Sequence, residues 1–301
     1  MKLKIYVVKK NQIIWAAIII AIIIISIILL VNLNKSQTMK TIDSVKTFNS
    51  ADVDNDGKSD SIVINKTDEE NQKYSVSVYS SSGKIYDLQP DISINSLGTP
   101  SDWWPINLIV KDIDKDNTKE IIIQSSDSNG PILHIFKYIN NSMERIASGR
   151  YSFVGNISLP PDDQNIVVLG LKSNDKLNLT YLTPKGNRLV PYTDAPASLT
   201  LGKDALLDVI SYIEKSDTEA FSINMDSKFA SILPKGIFLD CSLEDTKFSS
   251  YNIPSECTYI IRTASLDSNS KASEIYKVKL TLDKYNNEEP QYIITNINKI
   301  K

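Results

Sequence analysis

The chain has 301 residues, of which 42% are hydrophobic and 23% charged, and a formal net charge of −3. That balance belongs to a folded chain and excludes a disordered one. No Asp or Glu precedes Asp43, and setting aside Lys2, Lys4, Lys9 and Lys10 leaves about −7 on the remainder. An acidic remainder with no basic stripe excludes nucleic acid as the main partner, because phosphate neutralisation needs one.

Residues 1–12 read as a basic cytoplasmic tail. Ile13 to Val31 is a run of 19 residues with one Ser and no charge. As a helix it reaches about 28 Å, the thickness of a hydrocarbon core. A cleaved signal peptide shares the basic start. The run is long for one, however, and no small-x-small site follows it, only Val31-Asn32-Leu33-Asn34-Lys35. The expectation is an uncleaved transmembrane signal anchor over 13–31. The lysine excess ahead of it puts the N-terminus in the cytoplasm and the bulk of the chain outside a cell membrane, crossed once. Residues 32–42 are polar and aperiodic, and read as a stalk.

From 43 to 194 one pattern recurs three times. In the first unit strands are expected at 45–50, 60–65, 73–79 and 84–88, with Ser81-Ser82-Gly83 as a tight turn. Tyr74-Ser75-Val76-Ser77-Val78 alternates as a half-buried strand does. The second unit predicts strands at 106–111, 120–124, 132–138 and 143–147, and the third at 150–156, 166–171, 177–182 and 188–192. Four antiparallel strands per roughly 45–60 residues is the size of a propeller blade, and about four blades are needed for closure. Three units leave an open array, a degenerate fourth blade, or closure by a partner.

After Pro196 the pattern changes. Ala205, Leu206, Val209, Ile210 and Ile213 fall at helical spacing, which predicts a helix over 203–215. A second helix is expected from Asp217 to about Met225, and a further turn or two from Ser227. Strands follow at 237–243, 257–265, 273–282 and 292–297. Helices first and antiparallel strands after them predict an α+β domain over 195–301, its helices on one sheet face. The fold class is therefore mainly β, with an N-terminal transmembrane helix, propeller-like blades and a small α+β domain.

Two loops carry chemistry. Asp52-Val53-Asp54-Asn55-Asp56-Gly57-Lys58-Ser59-Asp60 places oxygen donors at alternate positions ahead of an apolar strand, as a loop around a hard cation requires. Asp52, Asp54, Asp56 and Asp60 would supply carboxylates and Lys58 a carbonyl, while Gly57 permits a left-handed backbone. Asp112, Asp114, Asp116 and Glu120 repeat those roles, with Thr118 giving the carbonyl and Asn117 in place of the glycine. An EF-hand is excluded, because its twelfth position needs a bidentate Glu and here holds Val63, on a strand. The third entry, Pro160-Pro161-Asp162-Asp163-Gln164-Asn165, has lost the alternation and should bind no metal.

Asp-x-Asp-x-Asp-Gly-x-x-Asp followed by an apolar strand resembles the calcium loops of FG-GAP/VCBS repeats, the blades of integrin-α-like propellers and of many bacterial surface proteins. The resemblance spans about residues 43–194. It implies structural Ca²⁺ that rigidifies blades rather than Ca²⁺ that catalyses. From element order alone, the C-terminal domain resembles the nuclear transport factor 2-like fold.

Asp102-Trp103-Trp104-Pro105 suits either stacking on sugar rings or filling the seam between the first two blades. His134, the single histidine, lies within a predicted strand and reads as structural. Cys241 and Cys257 are either a disulfide closing a short loop or two free thiols. No nucleophile elbow, phosphate loop or His-rich metal set is present in the sequence. Together these features point to a non-enzymatic, membrane-anchored binding or scaffolding protein on a bacterial cell surface of Gram-positive type, with a protein or cell-wall glycan as partner. Two other readings stand beside it. One is an envelope-assembly or sporulation-type component acting through its C-terminal domain, and the other is an enzyme of wall glycan.

Overall fold

Alternating apolar residues closed by Asn and Gly turns account for most of the architecture. A computed structural model describes residues 46–67, 72–215, 227–250, 253–265, 273–286 and 289–300. The expected tail, anchor and stalk, and the helix from Asp217, lie outside these residues. Among the described residues no helix is long and apolar enough to cross a membrane.

Strands β1 (Lys46–Ala51), β2 (Asp60–Lys66), β3 (Tyr74–Tyr79) and β4 (Ile85–Asp87) form an antiparallel sheet in chain order. Ile62 pairs with Val78 and Ile64 with Val76, so four buried side chains share one face. Strands β5 (Asn107–Lys111), β6 (Glu120–Asp127), β7 (Gly130–Ile139) and β8 (Ser142–Gly149) repeat that sheet. Asn140 and Asn141, at φ 51° and 64°, make the turn into β8, where the strand twist favours positive φ at both central positions.

The run Ile121-Ile122-Ile123 is apolar throughout because its sheet is covered on both faces. Ile121, Ile123 and Phe136 join Ile62, Ile64, Val76 and Val78 of the first sheet in one core. Ile122, Leu133 and Ile135 point the other way, against Val154, Val167 and Leu169. Each such buried side chain contributes about 1.5–3 kcal/mol by leaving water.

Val154, Val167 and Leu169 belong to a third, eight-stranded sheet. Its first half is β9 (Phe153–Leu159), β10 (Gln164–Ser173), β11 (Lys176–Lys185) and β12 (Arg188–Pro191). Its second half is β13 (Gly236–Ser250), β14 (Ile253–Ser265), β15 (Ser273–Asn286) and β16 (Glu289–Lys299), in the spatial order 12-11-10-9-13-14-15-16. The four strands expected as a third blade are present, but they are not a separate sheet. β9 runs parallel to β13, with Phe153 opposite Cys241 and Val154 opposite Ser242. Gly155 permits this approach, since a Cβ there would lie 2.5 Å from the Leu243 Cβ. The line between 194 and 195 therefore crosses one continuous sheet.

On its far face that sheet carries helix α1 (Lys203–Lys215). Ala205, Leu206, Val209, Ile210 and Ile213 pack against Phe153, Ile157, Ile166 and Val168, and against Tyr259, Val278, Leu280 and Tyr292. The short helix α2 (Ser227–Ala230) follows. Helix on one face and second sheet on the other leave β9 and β10 buried on both sides. The described chain is mainly β, and its sheets do not close into a propeller.

Candidate metal centre

Each acidic loop joins the first two strands of its sheet, and the strand register brings its first and last carboxylates together. Ala51 pairs with Asp60 across β1–β2, and Lys111 with Glu120 across β5–β6. The third sheet has only a four-residue link, 160–163, between β9 and β10, which is too short for the same wrap. Asn55 and Gly57 (φ 58° and 84°) turn the first loop, and Lys115 and Asn117 (61° and 69°) turn the second. The backbone conformation expected of Asn117 is the one it adopts.

In the first loop the carboxylates serve as the loop's own hydrogen-bond acceptors. Asp52 accepts from the N–H of Gly57 at 2.9 Å and of Asp56 at 3.1 Å. Asp60, 2% exposed, accepts from Val53 N at 2.9 Å and from Ser81 N at 3.0 Å. The Ser80 hydroxyl donates to Asp54 and the Ser81 hydroxyl to Asp56, and this second bond holds the Asp56 carboxyl below its ordinary range. One oxygen each from Asp52, Asp54 and Asp60 lies within 4.8 Å of the others. Asp56 and Lys58, also expected to contribute, lie at the exposed tip, where the Lys58 N–H donates to Asp56 at 2.9 Å. Among the described residues no lysine or arginine forms an ion pair with the four aspartates of this loop. Hard oxygens converging without a counter-charge fit a calcium ion.

The second loop converges in the same way, with one oxygen each from Asp112, Asp114 and Glu120 within 4.8 Å. Glu120 repeats Asp60, accepting from Ile113 N at 2.8 Å, and Asp112 accepts from Asn117 N at 3.0 Å. Asp116 accepts from the Thr118 N–H at 2.9 Å. The difference is Lys137 on β7. Its side chain is 2% exposed, and its ammonium donates to Asp114, pairs with Asp116 at 2.7 Å and lies 3.4 Å from Glu120. Burial raises the Glu120 carboxyl to about 7 and raises Asp114 as well. Burial also opposes charge on Asp116 and Lys137. The contacts between them outweigh it, holding Asp116 below and Lys137 above their ordinary values. The buried ammonium repels a divalent ion at this loop, a repulsion the first loop lacks among the described residues.

Sequence reasoning missed Lys137, Ser80 and Ser81. A signal for Lys137 was present, because it is the one charged residue of the run Ile132–Ile139, on a strand whose residues are mostly buried. No comparable signal marks the serines, which sit in an ordinary turn.

The remaining candidates take structural places. Trp104 does not fill the seam between the first two sheets. It packs on Leu239 and Ala264 of the third and donates its Nε1–H to Asp240 at 3.0 Å. Arg262 clamps the same carboxylate through Nε at 2.7 Å and reaches the Pro105 carbonyl at 2.7 Å. His134 is fully buried, and its Nε2 accepts from the Asp91 N–H at 3.1 Å. Cys241 and Cys257 are free, buried thiols. No family model matches the sequence, and no curated protein matches it either.

Proposed function

We propose that the first two sheets are blades of the FG-GAP/VCBS type and that the chain is a non-enzymatic binding or scaffolding protein. It is held on the outer face of the cell membrane by a single anchor over 13–31. Ca²⁺ at the first loop is structural. It would be held by Asp52, Asp54 and Asp60 and would clamp the link between β1 and β2, adding charge neutralisation to a loop already folded by its own hydrogen bonds. The observation that carries this reading is the convergence of those three carboxylates within 4.8 Å, with no ion-paired cation among the described residues. The blade surface beside it is then a stiff platform for a protein or wall-glycan partner.

Calcium chloride titrated into the full chain in detergent micelles tests the reading. Binding is expected at about 10⁻⁴ to 10⁻³ M, the range of extracellular modules, together with a rise in melting temperature. Absence of both refutes it.

A further inference from the structure

The two acidic loops differ at one structurally equivalent position. Immediately after Asp60, Ser61 pairs with Tyr79 on β3, and immediately after Glu120, Ile121 pairs with Phe136 on β7. The next residue along each partner strand faces the loop, Ser80 in the first sheet and Lys137 in the second. Both donate to the same carboxylate oxygen of the loop's second aspartate, Oδ2 of Asp54 and Oδ2 of Asp114. One donor is neutral and the other is a cation.

We propose that the Lys137 ammonium is the resident cation of the second loop, so that of the two loops only the first is an exchangeable divalent-cation site. The placing of that site rests on the calcium reading above, whereas the assignment of Lys137 does not. The ammonium contacts two of the three converging carboxylates, Asp114 and Glu120, together with Asp116 beside them. An ammonium has three donors, where calcium takes six to eight oxygens. The substitution therefore leaves oxygens over. Asp112 Oδ1 and Asp114 Oδ1 are buried without a hydrogen-bond partner, and Glu120 Oε1 has only the ammonium, at 3.4 Å. A loop shaped for a cation but served by a lysine leaves this pattern.

Exchanging the two residues tests the proposal, with calcium stoichiometry measured by equilibrium dialysis and thermal melts in chelator on the full chain. The wild type is expected to bind one calcium. Lys137→Ser is expected to bind two and to melt lower than wild type in chelator, with calcium restoring the loss. Ser80→Lys is expected to bind none and to melt higher in chelator. Two calcium ions on the wild type overturn the proposal, as does a folded Lys137→Ser that binds no more than wild type. A wild type that binds none beside a Lys137→Ser that binds one upholds the lysine assignment and sinks the calcium reading of the first loop. If Lys137→Ser does not fold, Ser80→Lys decides, because retained calcium binding there overturns the proposal and lost binding supports it.

Discussion

Replacing Asp54 by Asn separates a cation ligand from an ordinary turn residue. Asp54 accepts from Asp56 N at 3.2 Å through one oxygen and from the Ser80 hydroxyl through the other. Asn keeps the first bond, and the Ser80 hydroxyl can rotate to accept from the new amide, so Asp54→Asn removes charge and little else. In chelator the charge is a burden, because Asp52 and Asp60 each present an oxygen within 4.8 Å. Two unit charges at that distance repel by about 1 kcal/mol in the dielectric of water and about 3.5 kcal/mol at an effective value near 20. The loop is partly exposed and salt screens it, so the lower figure governs. The variant should then be more stable than wild type by about 1–2 kcal/mol in chelator. At about 10 mM calcium and the affinity proposed, the wild type gains about 1.4–2.7 kcal/mol. A variant short of one carboxylate gains much less, so its advantage disappears. Urea unfolding of the full chain in micelles, followed by tryptophan fluorescence in both media, measures this. If Asp54→Asn is destabilised equally with and without calcium, Asp54 is a hydrogen-bond acceptor in a turn and the cation argument fails.

Arg262→Met should cost about 3–5 kcal/mol by urea unfolding, since it leaves the buried Asp240 carboxylate without its guanidinium; a loss under about 1 kcal/mol would mean that Trp104 alone satisfies Asp240. Burial and the neighbouring Arg145 lower the His134 pKa from 6.5 to about 4, so the unfolded chain binds more protons between those values. Stability from this group is therefore complete above pH 6.5 and falls by about 3 kcal/mol as pH drops through 4. Glu120, raised to about 7, works in the opposite sense in an overlapping window. The test is accordingly the difference between wild type and His134→Gln, and a difference flat with pH would sink it. Cys241 and Cys257 are at most 1% exposed, with burial pushing both thiols up, so neither should react with a thiol reagent in the native chain and both should react in urea. Failure of both to react in urea without reductant would reveal a disulfide instead.

The strands, α1 and the two loops were legible in the sequence because each is written in neighbouring residues. Ile62, Ile64, Val76 and Val78 show the two-residue period of a strand, and Ala205, Leu206, Val209, Ile210 and Ile213 the spacing of a helix, which the structure forms over Lys203–Lys215. Acidic residues with Gly57 and Asn117 among them foretold left-handed turns, because few other residues adopt that backbone conformation. What tertiary structure alone decided are pairings between distant residues. An exposed strand edge offers the same N–H and C=O groups to any partner, so nothing local in β9 says that it will meet β13 rather than end a blade. The same holds for Trp104 and Asp240, joined across 136 residues of chain. It also holds for Lys137, whose place among Asp114, Asp116 and Glu120 depends on how β7 registers against β6. Local pattern determined which residues could ring a cation, whereas the register between strands decided that one of the two rings already contains a charge.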